Sequence, residues 1–343
     1  MTIEQRINAF VQLGDAIRKG LSEQENDFED IIIKAKVHNP WFEPRFTRIA
    51  FQSIAELLTE KKLIAWVKNY EPSFFVESKL RIGVIMAGNI PLVGFHDFLS
   101  VLISGKVFKG KLSSQDEFLL PYIAQKLIAI EPAFESKIEF VPHLLKDFDA
   151  IIATGSNNSA RYFDYYFAKY PHIIRRNRNS VAVITGNETK EQLEKLADDV
   201  YLYFGLGCRS ISKIFVPANY SIPHLLEHFQ HYVFLHEHTK YFNNYEYNKS
   251  IFLLNQVPHF DNGFHLITQS DAYASPVSVL YYEEYNKLED LERRLLVENN
   301  QVQCIVGGAK LKIEHEKFGN SQYPGLSEYA DNVDVITFLG GLL

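Results

Sequence analysis

Arg81-Ile-Gly-Val-Ile-Met-Ala87, followed by Gly88-Asn89-Ile90-Pro91, decides the fold. The apolar run is too continuous for a strand with one wet face, and it stops at a glycine turn, so it reads as a strand covered on both sides. The residues after it keep that rhythm. A helix is expected over about 92–103, a strand over 106–112, a helix over about 114–130 and a strand over 137–141. Ala150-Ile-Ile-Ala-Thr-Gly155 is a further strand ending at a glycine, again with a helix behind it. Apolar strands alternating with helices make a parallel sheet with both faces covered. Ligands of such sheets lie beyond the carboxyl ends of the strands. Three of those ends carry Gly88 with Asn89, Lys111 with Ser113 and Ser114, and Thr154-Gly155-Ser156, which marks a binding site by position.

Upstream, residues 1 to about 70 read as helices. Ile3, Ile7, Phe10, Val11 and Ile17 share helical spacing, Thr2 and Gln5 fit a capping box, and a second helical block runs from about 46 to 66. Downstream, strands are expected at 180–185, 211–216, 264–268, 277–282 and 302–307. Helices fill 189–203, 221–254 and 288–298. The pattern divides into helices plus an α/β domain over 1–204, a second α/β domain over 205–320 and a tail over 321–343.

The second domain opens on Tyr203-Phe-Gly-Leu-Gly-Cys-Arg-Ser210. Gly205 and Gly207 bring backbone close to Cys208 without side-chain bulk, and Arg209 is placed to favour a thiolate. On this segment alone two readings stand, a small inert thiol in a helix-to-strand loop and a nucleophile. Gly205-Leu-Gly207 begins like a dinucleotide fingerprint, but it follows a helix, precedes a strand and lacks the third glycine, so it is rejected. His224 and His228 share a helix face without the Glu of a zinc-protease motif, and no metal is expected. The aromatic run Arg161-Tyr-Phe-Asp-Tyr-Tyr-Phe-Ala-Lys-Tyr170 reads first as core and rim packing, with the floor of an acyl pocket as the alternative because it closely follows the Thr154-Gly155-Ser156 turn.

Bulk properties exclude several classes. A chain of 343 residues with 46% hydrophobic content can bury a large core. The net charge of −7 argues against non-specific nucleic-acid binding. No apolar run reaches a membrane span, the first residues lack a signal peptide's apolar core, and two cysteines suit a reducing compartment, so the cytoplasm is expected.

The ordered set of landmarks resembles the aldehyde dehydrogenase superfamily. Ile85-Met-Ala-Gly-Asn89-Ile-Pro91 is similar to the strand end whose Asn helps form that superfamily's oxyanion hole. Lys111-Leu-Ser-Ser114 resembles its ribose-holding Lys-Pro-Ser-Glu, and Ala153-Thr-Gly-Ser156 its Phe-Thr-Gly-Ser turn beside the cofactor phosphates. Phe204-Gly-Leu-Gly-Cys208 resembles the loop of its nucleophile, and Ser275-Pro-Val277 its Phe-Gly-Pro-Val. Two departures narrow the match. Where hydrolytic members carry a Glu base, this chain has Arg175-Arg-Asn-Arg-Asn-Ser180; where they carry a ribose-binding Glu, it has Ala272 with Asp271 beside it. The Gly-x-Gly-Cys-Arg-Ser loop and the ending from Gly319 to Asp334 look most like LuxC-type acyl-CoA reductases.

That resemblance implies an aldehyde-dehydrogenase-like fold, with two Rossmann-like α/β domains of parallel sheets after an N-terminal helical segment. It implies NADPH-dependent reduction of an acyl-CoA, or another acyl thioester, to an aldehyde. Cys208 and Asn89 are then catalytic, Gly88, Lys111, Ser113, Thr154, Gly155 and Ser156 bind the cofactor, and NADH is the alternative coenzyme. The partners implied are an acyl-CoA or acyl-donor protein, an acyl-activating enzyme and further copies of the chain. Two other readings are carried forward. One is a cysteine-dependent acyltransferase or thioesterase without hydride transfer, using a base such as His96; the other is a non-catalytic relative.

Overall fold

The structure is a computed structural model that describes residues 1–342, the side chain of residue 157 excepted. It divides into two compact units, one formed by residues 1–177 with the segment from Gly325 onward, the other by Arg178–Pro324.

The first unit begins with α1 (Ile3–Glu23), α2 (Asn26–His38), α3 (Pro44–Leu57) and α4 (Glu60–Val67). Ile7, Phe10, Leu13 and Ile17 recur every three or four residues, so one face of α1 is buried. Thr2 and Gln5 form the expected capping box, with Gln5 N donating to Thr2 Oγ1 at 3.3 Å and Thr2 N donating to Gln5 Oε1 at 2.8 Å.

Then come β1 (Arg81–Ile85), α5 (Phe95–Ile103), β2 (Val107–Lys111), α6 (Leu119–Ile130), β3 (Ile138–Phe140), β4 (Ala150–Thr154), α7 (Asn157–Phe167) and β5 (His172–Arg175). The five strands are parallel in the order β3-β2-β1-β4-β5. Ile82 and Val84 of β1 and Ile151 and Ile152 of β4 have no exposed surface, as near-continuous apolar runs in a doubly covered sheet require. α5 and α6 begin later than the spacing predicts. Leu92 is left-handed (φ 60°), which no helix tolerates, and Asp116 closes a turn just ahead of Leu119. On α7, Phe163 and Phe167 lie one turn apart and pack toward Ile151 and Phe148, while Tyr162, Tyr165 and Tyr166 are exposed.

The second unit contains β6 (Asn179–Val183), α8 (Lys190–Tyr201), β7 (Ile211–Pro217), α9 (Ile222–Glu227), α10 (Thr239–Leu254), β8 (His259–Asp261), β9 (Leu266–Gln269), β10 (Val279–Tyr285), α11 (Leu288–Val297) and β11 (Val302–Gly307). Its sheet runs β11-β6-β7-β10-β9-β8. Val181, Val183 and Phe215 form a core with Leu291 and Leu295 of α11.

Three expectations are corrected. The division falls at 177/178 rather than 204/205, because β6 pairs with β7 and β11 and so belongs to the second sheet. The second sheet is not wholly parallel: β8 runs antiparallel to β9. Gly263, at φ 93°, turns the chain straight back while Asn262 N donates to His265 O, and a hairpin this short joins only antiparallel strands. Nor are the last residues a tail. Trp66 Nε1 donates to Tyr329 Oη at 2.8 Å, Tyr70 Oη lies 2.7 Å from it, and α12 (Val335–Gly340) packs on α5, so this segment is part of the first unit's core.

Candidate active site

In the first unit the sheet order puts β2, β1 and β4 side by side, and Ile85 lies opposite both Lys111 and Ala153. Strand order reverses between β1 and β4, the switch point where doubly wound sheets take their ligands. Gly88, Asn89, Lys111, Ser113, Thr154, Gly155 and Ser156 therefore all come to one carboxyl edge. Gly88 sits so tightly on the neighbouring loop that a β-carbon there would lie 2.6 Å from Ser113 Cβ and Oγ. Ser156 caps α7, its Oγ accepting from Ser159 N at 3.2 Å, and the helix opens at this edge with its N-terminal dipole. A cation, hydroxyls and a helix N-terminus are the donor set that suits an anionic dinucleotide.

Sequence reasoning missed what holds this edge in shape. Asp116 is 7% exposed, and its carboxylate accepts from Leu92 N at 3.1 Å and Leu119 N at 3.4 Å. It ties the turn that carries Asn89 to the loop that carries Ser113. Burial pushes its carboxyl up to about 6. The folded chain therefore holds this proton where the unfolded chain has lost it, and stability through Asp116 falls as pH rises from the ordinary carboxylate range to about 6. In denaturant titrations Asp116→Asn should accordingly gain on the native protein across that window and stop gaining above it. A difference that does not vary with pH would refute the assignment.

Arg175, at the end of β5, forms a buried two-point ion pair with Asp97, at 2.6 and 2.8 Å. Arg176 meets Asp164 at 2.5 Å. The stretch that holds a base in hydrolytic relatives is here given to structural cations. His96 Nε2 lies 3.0 Å from Leu326 O and its Nδ1 3.5 Å from Ser100 Oγ, with desolvation lowering its pKa. Packed beside the Trp66 and Tyr329 rings, it is a core histidine of the first unit.

In the second unit Cys208 is exposed and lies in the loop just ahead of β7, with Arg209 and Ser210 between them. Tyr203, Phe204 and Gly205 take φ of 54°, 58° and 73°, one left-handed turn ending α8. For a non-glycine residue that conformation costs roughly 1–2 kcal/mol. It persists because both aromatic side chains are buried, Phe204 stacking 4.3 Å from the His238 ring. Beyond this turn, Ser180 Oγ donates to Cys208 O at 2.9 Å. Arg209 does not simply serve the sulfur: its Nε donates to Ser321 O and its guanidinium lies 3.5 Å from Glu316. The other thiol, Cys304, is buried and pushed up to about 12, which leaves it protonated and inert. Among the described residues no group of three or more His, Cys, Asp or Glu is placed to hold a metal, and no helix is long and apolar enough to cross a membrane.

Comparison with solved structures places this architecture in the aldehyde dehydrogenase fold. Aldehyde dehydrogenase 21 from Physcomitrella patens, in complex with succinate, superposes with a TM-score of 0.66 at 10% identity, over 99% of this chain and 88% of that one. An E. coli NADP-dependent enzyme gives 0.67 at 11% identity over 90% and 74%. The NAD+ complex of a Bacillus cereus aldehyde dehydrogenase gives 0.60 at 12% over 90% and 73%. No curated protein sequence matches the chain. The acyl-CoA reductase (LuxC) family model matches residues 55–225, a span that contains every candidate site residue, and over that span the chain is similar to that family. It is an oxidoreductase acting on acyl and aldehyde groups.

Proposed function

We propose that the chain reduces an acyl-CoA, or an acyl group carried by a donor protein, to an aldehyde through a thioester on Cys208, with NADPH as reductant. What supports the reading most is Cys208 itself, a solvent-exposed thiol held by its backbone in a strained loop, within a span similar to a family that reduces acyl-CoA.

The Cys208 thiolate attacks the acyl carbonyl carbon, a C–S bond forms, and collapse of the tetrahedral adduct expels the CoA thiolate, which takes up a proton. Asn89 donates its amide N–H to the oxyanion while the negative charge sits on oxygen. Bound NADPH would supply the hydride that converts the thioester to aldehyde and returns the Cys208 sulfur as thiolate. Lys111, Ser113, Thr154 and the capped start of α7 are the groups that would hold its phosphates and ribose, Lys111 favouring a 2′-phosphate. Arg175 and Arg176, paired with Asp97 and Asp164, leave that stretch without a group to activate water, which protects the acyl-enzyme from hydrolysis.

The test is a series of acyl-CoAs of increasing chain length added to protein and NADPH, with the aldehyde trapped as a hydrazone. NADPH oxidation and aldehyde should appear in equal amounts. Thioester cleavage without NADPH oxidation would instead select the thioesterase reading, although His96, its proposed base, is engaged within the first unit's core.

A further inference from the structure

Gly319-Asn-Ser-Gln322 plays no part in the chemistry above, yet its contacts converge on the nucleophile loop. That loop closes on Ser210: Ser210 N donates to Gly207 O at 3.0 Å, and Gly207 N donates to Ser210 Oγ at 3.2 Å. Gln322 Nε2 donates to the same hydroxyl oxygen at 3.1 Å. Alongside, Arg209 Nε donates to Ser321 O. The segment is itself held from beneath, because Asp199 accepts from Gly319 N at 2.6 Å and from Ser321 N at 2.8 Å. Asp199 and Ser321 have no exposed surface, and Ser210 and Gln322 are buried.

Two glycines in five residues give the Cys208 loop little stiffness of its own. Its direction must come from outside, and Ser210 Oγ is where that control enters. An oxygen accepting from two N–H donors has its rotor fixed, so the Gly207–Ser210 turn, with Cys208 inside it, has one geometry. We propose that Gln322 is a positioning residue for Cys208. It acts through Ser210, and the Asp199-held segment is the clamp that sets where the sulfur points. This rests on Cys208 being the nucleophile.

The experiment uses the full chain with Gln322→Leu, which removes the donor, and Gln322→Glu, which keeps the length and accepts a hydrogen bond from Ser210. Two readouts are taken. One is the rate of Cys208 alkylation by iodoacetamide from neutral to alkaline pH, followed on the Cys208 peptide. The other is kcat and KM for NADPH-dependent acyl-CoA reduction. Gln322→Leu should lower kcat by about 10–100-fold, the scale of a misplacement near 1 Å, with KM for NADPH little changed. It should also shift the alkylation profile, and Gln322→Glu should restore most of both. A Leu variant that is merely less heat-stable, with kcat and alkylation as in the native protein, would overturn the proposal. If the native protein shows no acyl-CoA reduction, the functional reading fails, and the alkylation profile alone still decides whether Gln322 governs the sulfur.

Discussion

Cys208→Ala is expected to abolish both acyl transfer to the protein and aldehyde formation, since removing the nucleophile of a covalent enzyme costs on the order of 10⁶ in rate. The loss should be chemical and not structural. The contacts that shape the loop are made by backbone and neighbours: Ser180 Oγ to Cys208 O, Ser210 N to Gly207 O, and Gln322 to Ser210. These bonds hold the backbone of the loop and remain in the variant, which should therefore fold and still bind NADPH. Incubation with labelled acyl-CoA in the absence of NADPH separates the steps. The native protein should accumulate label on the Cys208 peptide, labile to hydroxylamine, and the variant none. Cys304 does not substitute, because burial holds its thiol near 12 and leaves almost no thiolate at neutral pH. A variant that keeps reductase turnover would remove Cys208 from the mechanism and return it to the inert-loop reading.

What sequence revealed here follows from which interactions leave a pattern along the chain. β1 and β4 were legible because strands buried on both faces need unbroken apolar runs, and the strand ends located the first-unit residues with no structure in hand. The register then placed Lys111 and Ala153 opposite Ile85. The boundary between units was illegible for a related reason. β6 looks the same in either sheet, and only its pairing with β7 and β11, remote in sequence, assigns it. The β8–β9 hairpin did carry a local signal, Asp261-Asn262-Gly263, a strong turn sequence, but β8 is only three residues long and gave no alternation to attach it to. Asp116, Asp199 and Gln322 form a third class. Each bonds mainly to backbone N–H groups or a buried hydroxyl, and a polar side chain aimed at a loop has no periodicity. Arg209 belongs with them: adjacency to Cys208 suggested service to the thiolate, and nothing along the chain signalled that the side chain also reaches Ser321 and Glu316.

Asn89→Ala is expected to lower kcat by about 10²–10³, the usual cost of one oxyanion donor, while the dissociation constant for NADPH changes little. The asymmetry is the point of the prediction. An amide that hydrogen-bonds the carbonyl oxygen only once it carries charge lowers the transition state and leaves binding of reactants alone. Asn89→Asp should be at least as damaging, because a carboxylate of the same shape has no donor and repels the developing charge. The fold should survive both changes. The turn behind Gly88 is held by Asp116 through Leu92 N, and Gly88 by its contact with Ser113, neither of which depends on the Asn89 side chain. Pre-steady-state kinetics give the clearest reading: acylation of Cys208, followed by release of CoA without NADPH, should slow by the same factor as turnover if Asn89 serves that step. A variant with native acylation and weakened NADPH binding would instead make Asn89 a cofactor residue of the β1 edge, and the oxyanion would then need a different side-chain donor.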